Sequence, residues 1–428
     1  MSIRQLFLLS ALACALPCWA QTAPVPASPA ATSLTLVQAL TAAQGNSDVA
    51  QARHALAAAR ADVLGADHAP APVLSTKAAS IDLQHGIGPG NVVTRKRIDK
   101  SIGIDWTWER GNKRALRTLA AQRNAEAAQA DVEDVQTQQL QATLGAYYDL
   151  LAAQERLRET QEIERGMAEL DRLAARRVKA GDLAQQDAAR TRIEAERART
   201  ETQSAALARE QAALVLAQLI AQGPGVEASA TDWPARIEPP AEGGDLMAWA
   251  EARADVRAAL ARVQAAQAAL DNAQALRKAD VTVGASYDHF PGTSNRLLEL
   301  RAQFPLQWGY RFEGEIGRAQ AELSQAQEAL DKTRRLALLD LQSLQQTAAS
   351  AALRAASFES GILPRARQVA QSAELAYTKG ATSLTDLLDA RRTLRATALE
   401  ALSARLDYAK AQGNWLLRTQ PRTLLPTP

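Results

Sequence analysis

The sequence predicts a mainly α-helical fold with a small β part. Long antiparallel helical hairpins are expected to form a coiled-coil-like tunnel, and four strands per chain are expected to join a transmembrane β-barrel. The prediction starts from a pattern that occurs twice: alternating strand residues that end in tryptophan, followed by a Gly-x-x-x-x-x-Asp turn. The first turn runs from Gly181 to Asp187, and the second from Gly380 to Asp386. The copies lie roughly 200 residues apart, which is far longer than a solenoid repeat.

The composition favours closely packed helices over a thick globular core. Hydrophobic residues make up 47% of the 428 residues, but aromatic residues only 4%. Alanine, glutamine, glutamate, arginine and leucine dominate, and small side chains let helix axes approach closely. The 49 basic residues nearly balance the 47 acidic ones, so no strong positive field indicates a nucleic acid partner.

The segment 1–20 has the pattern of a secretory signal peptide. A basic residue precedes the apolar run 6–16, and residues 18–20 form a small-x-small cleavage site. The run is too short for a transmembrane helix, which needs about 20 apolar residues. Both cysteines, Cys14 and Cys18, lie in this segment. Cys14 follows a poor lipobox, so a lipid anchor there is the less favoured alternative, and the mature chain is expected to contain no cysteine.

The first half of the mature chain is expected to form one structural repeat. A flexible leader rich in proline and alanine covers 21–33, and the repeat itself covers 34–222. It contains a helix, a strand pair at about 73–109 and a long helical hairpin with its turn near 181. Roughly 65 helical residues at about 1.5 Å each would give a helix of about 100 Å. A linker rich in proline and glycine, 223–245, joins the two repeats.

The second half repeats this order. The repeat 246–416 contains a helix, a strand pair at about 281–312 and a long hairpin with its turn near 380, and a tail, 417–428, follows. The last strand is predicted for 296–312, because apolar residues alternate with polar ones through that whole segment.

The strand patterns place apolar and polar residues on opposite faces. A half-buried sheet in a water-soluble protein would alternate in the same way. Here, however, the polar face is charged and aromatic residues gather at one end, as in a lipid-facing band with an interfacial aromatic girdle. The expected girdle residues are Trp106, Trp108, Trp308 and Tyr310.

Four strands are too few to close a barrel. Strand edges cannot remain unpaired in lipid, and the smallest membrane barrels have about eight strands. The chain is therefore expected to share its barrel with copies of itself. A homotrimer would supply about twelve strands, enough for a water-filled lumen.

Three short segments connect the chain to a known family. Residues 377–390 read YTKGATSLTDLLDA, residues 178–181 read VKAG and continue to Asp187, and residues 109–114 read ERGNKR. Together with the doubled pattern, the first two resemble the turns of the TolC family of outer-membrane efflux ducts, over essentially the whole mature chain. The third resembles a Glu-x-Gly-Gly-Lys-Arg segment of the CzcC-like branch, which exports heavy-metal cations.

The resemblance implies a function and a set of partners. It implies a homotrimeric channel in outer-membrane lipid with a large periplasmic part. Such a duct receives substrate from a periplasmic adaptor (membrane fusion) protein and an inner-membrane pump of the resistance-nodulation-division type or a similar one. The duct of a type I protein-secretion system is the alternative within this architecture. A soluble periplasmic coiled-coil scaffold is the alternative from another class.

No enzyme, cofactor or metal site is predicted. The four histidines are scattered, and no two are spaced at i, i+4 as a helical metal site requires; they are His54, His68, His85 and His289. No glycine-rich loop leads from a strand into a helix, so nucleotide binding is not indicated.

The second turn carries the best candidates for a gate. Asp386 and Asp389 are three residues apart, so they share a helix face. In a trimer they would form acidic rings that select cations and constrict a pore. Stabilisation of the helix N-terminus is an equally good explanation of the spacing alone. The resemblance assigns both aspartates to the periplasmic constriction, and Tyr377 and Asp187 to the contacts that hold it shut.

One position departs from the family pattern. Thr382 stands where the family's gate has an arginine, so an ion pair between that position and Asp187 is not available. We expect a hydroxyl hydrogen bond from Tyr377 or Thr382 to take its place. The two turn tips also resemble the family's docking sites for the adaptor, although a plain helix–helix turn would need the same glycines. The tip residues are Gly181, Asp182, Leu183, Gly380, Ala381 and Ser383.

Overall fold

A computed structural model describes residues 32–85, 89–90, 98–240, 244–291, 293–420 and 423–424. The expected signal peptide, almost all of the leader and half of the C-terminal tail lie outside these residues. So does part of the predicted loop after the first strand.

The first repeat contains a short strand, two helices, a strand pair and a long helical hairpin. Its elements are β1 (Thr32–Leu34), α1 (Leu36–Ala43), α2 (Ser47–Ala66), β2 (Val73–Ala79), β3 (Asp99–Trp108), α3 (Lys113–Ala180), α4 (Gln185–Leu219) and β4 (Val226–Ala228). Helix α3 has 68 residues, which corresponds to about 100 Å. The single helix predicted after residue 34 is wrong, because Asn46 caps a new helix with its side chain and separates α1 from α2.

The second repeat has the same order. Its elements are α5 (Leu246–Glu251), α6 (Ala254–Ala275), β5 (Val281–Phe290), β6 (Ser294–Gln303), α7 (Glu313–Ser357), α8 (Leu363–Thr378) and α9 (Leu384–Thr419). A π-helical turn, Phe358–Ile362, separates α7 from α8. The predicted uninterrupted helix is therefore wrong at this point, just before the proline in the first turn of α8.

The last predicted strand is too long. Strand β6 ends at Gln303 rather than at Phe312, because Pro305 follows and has no N–H to donate to a ladder. Gly309 then adopts a left-handed φ of 82°. Trp308 and Tyr310 consequently lie in an irregular segment between β6 and α7, not on a strand.

The four long strands form one antiparallel sheet in the order β2-β3-β5-β6. Strand β3 pairs with β5 from Trp108↔Val281 to Lys100↔His289, and this pairing joins the two repeats. Strands β2 and β6 lie at the edges. The short strands β1 and β4 pair in parallel at another place in the chain.

The two faces of the sheet separate as the alternation predicts. The apolar face is open to solvent, with Ile102 and Ile104 each 52% exposed and Leu300 77% exposed. The opposite face carries ion-paired and hydroxyl side chains, for example Thr107 on β3 and Thr282 on β5, whose hydroxyls lie 2.9 Å apart.

The largest buried cluster lies where α1, the middle of α3, the end of α4 and the linker meet. Tyr147 is fully buried there; its hydroxyl donates to Asp232 at 2.6 Å and accepts from the amide of Ser229 at 3.1 Å. Burial raises the pKa of Tyr147 well above its ordinary value, and the hydrogen bond to Asp232 acts in the same direction. The same Asp232 carboxylate accepts from the amide of Leu36, so one side chain ties the linker to both α1 and α3.

Alanine is the commonest buried residue in two smaller clusters, between α7 and α9, as the composition indicates. None of the described helices is both long enough and apolar enough to cross a membrane.

Candidate functional site: the hairpin tips and the polar face of the sheet

The first hairpin turns at Gly181, whose φ is 81°. The amide of Asp182 donates to the carbonyl of Arg177 at 2.8 Å, and that of Gly181 to the carbonyl of Val178 at 3.1 Å. This pair of bonds is a Schellman motif, in which glycine allows the left-handed conformation. Gly181 and Asp182 are exposed, and Leu183 is half-buried.

The second hairpin turns in the same way at Gly380, whose φ is 73°. The amide of Ala381 donates to the carbonyl of Ala376 at 2.8 Å, and that of Gly380 to the carbonyl of Tyr377 at 3.0 Å. Ala381 and Ser383 are exposed. The two repeats therefore end in equivalent exposed tips, as the doubled turn pattern predicts.

Asp386 takes part in a capping box at the start of α9. The amide of Asp386 donates to the hydroxyl of Ser383 at 3.2 Å, and its carboxylate accepts from the amide of Ser383 at 3.1 Å. The carboxylate also accepts from the hydroxyl of Ser383 at 2.8 Å. The helix-start explanation of this aspartate is thus present in the structure.

Asp389 lies one turn further along α9 and is exposed. It makes no hydrogen bond or ion pair with any residue that the structure describes. Its negative charge contributes to the raised pKa of Arg392 on the same helix, although the hydrogen bond from Arg392 to Glu194 is the main cause. Of the two aspartates, Asp389 therefore has the carboxylate that remains available.

Tyr377 joins the ends of two helices. Its hydroxyl accepts a hydrogen bond from the guanidinium of Arg177 at 3.2 Å. The same guanidinium lies 5.9 Å from the centre of the Tyr377 ring, within cation–π range. Tyr377 thus accepts a hydrogen bond at this tip, and its role in holding a gate shut stays a prediction. The buried hydroxyl of Thr382 has no partner in the described part of the chain. Asp187 is 4.0 Å from Arg190 on its own helix.

A small apolar cluster lies beneath this contact. It joins the end of α3 to the start of α9, with Tyr377 and Met167 packed against it, and its buried members are Leu170, Leu384, Leu387 and Leu388. These contacts hold the two tips together through buried apolar area.

A second set of ion pairs joins α4 to α9 above the tips. The carboxylate of Glu194 lies 2.5 Å from the guanidinium of Arg392 and 3.2 Å from that of Arg197. The hydrogen bond from Arg392 lowers the pKa of Glu194, although burial opposes it. Glu201 on α4 and Arg395 on α9 form a further pair. Our sequence analysis missed this contact, because no spacing in the sequence marks these acidic and basic residues as partners.

The ERGNKR segment lies where the sheet meets the helices. The ammonium of Lys113, whose side chain is only 9% exposed, donates to Asp280 at 2.8 Å. The amide of Arg110 donates to the same carboxylate at 2.9 Å. Glu109 accepts from Arg117 at the same junction. The segment thus joins β3 and α3 to the chain that enters β5.

The four aromatic residues at the helix-side end of the sheet are open to solvent. Trp106 and Trp108 are 44% and 59% exposed, and Trp308 and Tyr310 are 84% and 48% exposed. The hydroxyl of Tyr310 donates to Glu315 at the start of α7. Trp106 and Trp108 lie on the apolar face of β3, whereas Trp308 and Tyr310 follow β6.

The described residues include no group of three or more histidine, cysteine, aspartate or glutamate side chains placed to hold a metal ion.

The comparisons with known proteins agree on one architecture. The profile of the family described as "Outer membrane efflux protein" matches residues 40–222. The chain is 27% identical over 394 residues to the cobalt-zinc-cadmium resistance protein CzcC of Cupriavidus metallidurans, with 87% of each chain covered.

Solved structures with low sequence identity share the fold. A membrane protein from Pseudomonas aeruginosa is 17% identical, with a TM-score of 0.74 over 90% of this chain and 93% of that one. The CmeC outer membrane channel of Campylobacter jejuni is 15% identical, with a TM-score of 0.72 over 90% and 85%. The profile match over residues 40–222 and the shared fold make the chain similar to outer membrane efflux proteins. It is an efflux duct of the outer membrane with a large periplasmic part.

Proposed function

We propose that three copies of the chain assemble into the duct. The supporting observation is the sheet, whose exposed apolar face carries tryptophans and whose opposite face carries ion pairs. In lipid its edge strands β2 and β6 need partners. Neighbouring copies would provide them and would close a barrel of about twelve strands with the ion-paired face towards a water-filled lumen.

The helical hairpins would then form the periplasmic tunnel. Proteins of this family work with an adaptor and an inner-membrane pump in tripartite systems. We propose that the exposed tips at Gly181 and Gly380 receive the hairpin of a periplasmic adaptor. A pump of the resistance-nodulation-division type would supply the energy, because the duct itself contains only a passive path.

Heavy-metal cations are the cargo that we propose. Two observations support them: the similarity to a cobalt-zinc-cadmium resistance protein over most of the chain, and the ERGNKR segment at the junction of sheet and helices. The ERGNKR segment forms contacts within the junction of sheet and helices. The similarity to the cobalt-zinc-cadmium resistance protein is therefore the main support for this cargo.

The gate that we propose lies at the tips. Asp386 and Asp389 would form acidic rings in a trimer, which favour cations and narrow the opening. Tyr377 would hold the second hairpin against the first through Arg177, and Asp187 would lie beside that contact. Thr382 would contribute no charge.

Purified protein in detergent and in planar bilayers tests the duct. We expect a complex with the mass of three chains and ion-conducting channels of a single class. Release of the protein into the soluble periplasmic fraction by osmotic shock would contradict the duct and favour a scaffold.

The cargo is tested separately, in a strain that lacks this chain but retains its pump and adaptor. We expect such a strain to accumulate cobalt, zinc and cadmium, and a plasmid copy of the chain to restore export. Unchanged metal content together with the loss of a secreted protein would indicate a type I secretion duct instead.

A further inference from the structure

An ion pair crosses three strands on the polar face of the sheet. Asp105 on β3 lies opposite Gly284 on β5, and Gly284 lies opposite Arg301 on β6. The guanidinium of Arg301 donates to both carboxylate oxygens of Asp105, at 3.0 and 3.1 Å. The hydroxyl of Ser75 on β2 donates to the same carboxylate at 3.2 Å, so the contact involves all four strands.

The ion pair depends on the missing side chain of Gly284. A Cβ atom there would lie 2.0 Å from a carboxylate oxygen of Asp105. The φ of Gly284 is not positive, so the backbone does not need glycine at this position. A glycine within a strand normally weakens it, and here the available reason for it is the space that the ion pair occupies.

Arg301 is one of two cations among mostly acidic side chains. The charged side chains on the polar parity of the described strands are Lys77, Asp99, Asp105, Asp288, Glu299 and Arg301. Arg301 also lies 3.8 Å from Glu299. Four carboxylates therefore face two cations on each chain, and Arg301 is placed between two of the four.

We propose that Arg301 determines the ion selectivity of the barrel. Asp105 holds the guanidinium of Arg301 above Gly284. The positive charge of Arg301 offsets the acidic side chains around it and thereby limits the preference of the lumen for small cations. A trimer would place three such charges around one pore, where rings of charged side chains govern selectivity. This inference depends on the proposed function, because it needs the polar face to line a water-filled lumen.

Reversal potentials in planar bilayers under a potassium chloride gradient test the proposal. Arg301→Gln should raise the ratio of potassium to chloride permeability at least about twofold, because it leaves the Asp105 carboxylate uncompensated. Asp105→Asn should lower the ratio, because it leaves the guanidinium in excess. Arg301→Lys keeps the charge and should leave the ratio near that of the wild type.

Arg296→Gln is the matched control. Arg296 lies on the same strand, beyond Leu297 where the register of β5 and β6 shifts, and takes no part in the ion pair. The variant therefore removes an equal charge away from Arg301 and should leave the ratio unchanged. Equal ratios for the wild type, Arg301→Gln and Asp105→Asn would overturn the proposal, as would an equal shift in Arg296→Gln or in Arg301→Lys.

The outcomes also separate this inference from the duct itself. Wild-type protein that forms no channels would contradict the duct and this inference together. Wild-type channels whose selectivity is insensitive to residues 105 and 301 would contradict this inference alone. If Arg301→Gln fails to reach the membrane, Asp105→Asn and Arg301→Lys still decide the question, because the first changes the charge balance of the lumen and the second preserves it.

Discussion

The hydroxyl of Tyr377 accepts a hydrogen bond from the guanidinium of Arg177 at 3.2 Å, and this bond joins the last turn of α8 to the last turn of α3. It connects the tips of the two hairpins within one chain. The arginine comes from the first repeat, whereas the second repeat has Thr382 at the position where the resemblance to the TolC family implies an arginine. The chain thus has a cation at this tip, but on the other hairpin.

Tyr377→Phe should weaken the closed tip. The variant keeps the ring and loses the hydrogen bond, which is worth about 1 kcal/mol, so the open fraction of a two-state gate should rise about fivefold. Single-channel recording measures this fraction. Arg177→Gln should have the same effect, while Arg176→Gln, at an exposed neighbour with no partner among the described residues, should have none. An unchanged open fraction in both Tyr377→Phe and Arg177→Gln would exclude this contact as a latch.

The two aspartates of α9 should differ in their roles. Replacing both Asp386 and Asp389 with asparagine should reduce channel block by divalent cations, because the acidic rings disappear. Asp386→Ala should also destabilise the start of α9 by about 1 kcal/mol through loss of the capping box, whereas Asp389→Ala should not. Block is measured in bilayers, and stability by thermal loss of helical circular dichroism. Unchanged block in the double variant would remove both residues from the gate.

The contact between α4 and α9 should be sensitive to acid. The hydrogen bond from Arg392 holds the folded-state pKa of Glu194 below the ordinary value of a glutamate. A group with a lowered folded pKa stabilises the fold above its unfolded pKa and loses that contribution as the pH falls through the folded value. Thermal stability should therefore decline below about pH 4.5, and part of this decline should be absent in Glu194→Gln.

Glu196→Gln is the control for that experiment. Glu196 is on the same helix, but its side chain is 70% exposed, and within the described part of the chain its ion pair is with Arg192 on its own helix. Pairs of this kind contribute little. If Glu194→Gln and Glu196→Gln have identical pH profiles, the contact between α4 and α9 does not contribute to stability.

The junction of sheet and tunnel should depend on Lys113 and Asp280. Asp280→Asn leaves the buried ammonium of Lys113 without its carboxylate, and breaking a buried pair in this way costs about 3–5 kcal/mol. We expect the assembled protein to dissociate at a lower temperature on semi-native gels. Asp67→Asn disrupts the exposed pair between Asp67 and Arg114 and should change this temperature little. Equal effects of the two substitutions would show that burial of Lys113 is unimportant.

The sequence predicted structure most reliably where a few neighbouring residues determine the conformation. Gly181 and Gly380 were predicted as turns because few other residues adopt a left-handed φ at a helix end. The faces of the strands followed from their alternation. The prediction for 304–312 was wrong because the alternation was read past Pro305, whose missing N–H ends the ladder. The break between α7 and α8 was missed although Pro364 marks it.

Contacts between distant residues could not be predicted in this way. The pairs Arg177–Tyr377, Glu194–Arg392 and Asp105–Arg301 each join residues about 200 positions apart, and no period in the sequence specifies which exposed arginine meets which acceptor. The packing of alanine-rich helices and the register of β3 against β5 bring these partners together. The register shows that Gly284 lies between Asp105 and Arg301 and leaves room for their ion pair.

By itself, the sequence determined the two-repeat order, the long helices, the turns and the amphipathic strands, because periodicity and glycine or proline chemistry act over a few residues. Only the tertiary structure decided which side chains meet. In the tertiary structure the carboxylate of Asp386 accepts hydrogen bonds from Ser383, whereas that of Asp389 stays available. Arg177 donates a hydrogen bond to Tyr377. The reason is physical: an ion pair or hydrogen bond needs atoms within about 3 Å, and that distance is set by the packing of whole elements.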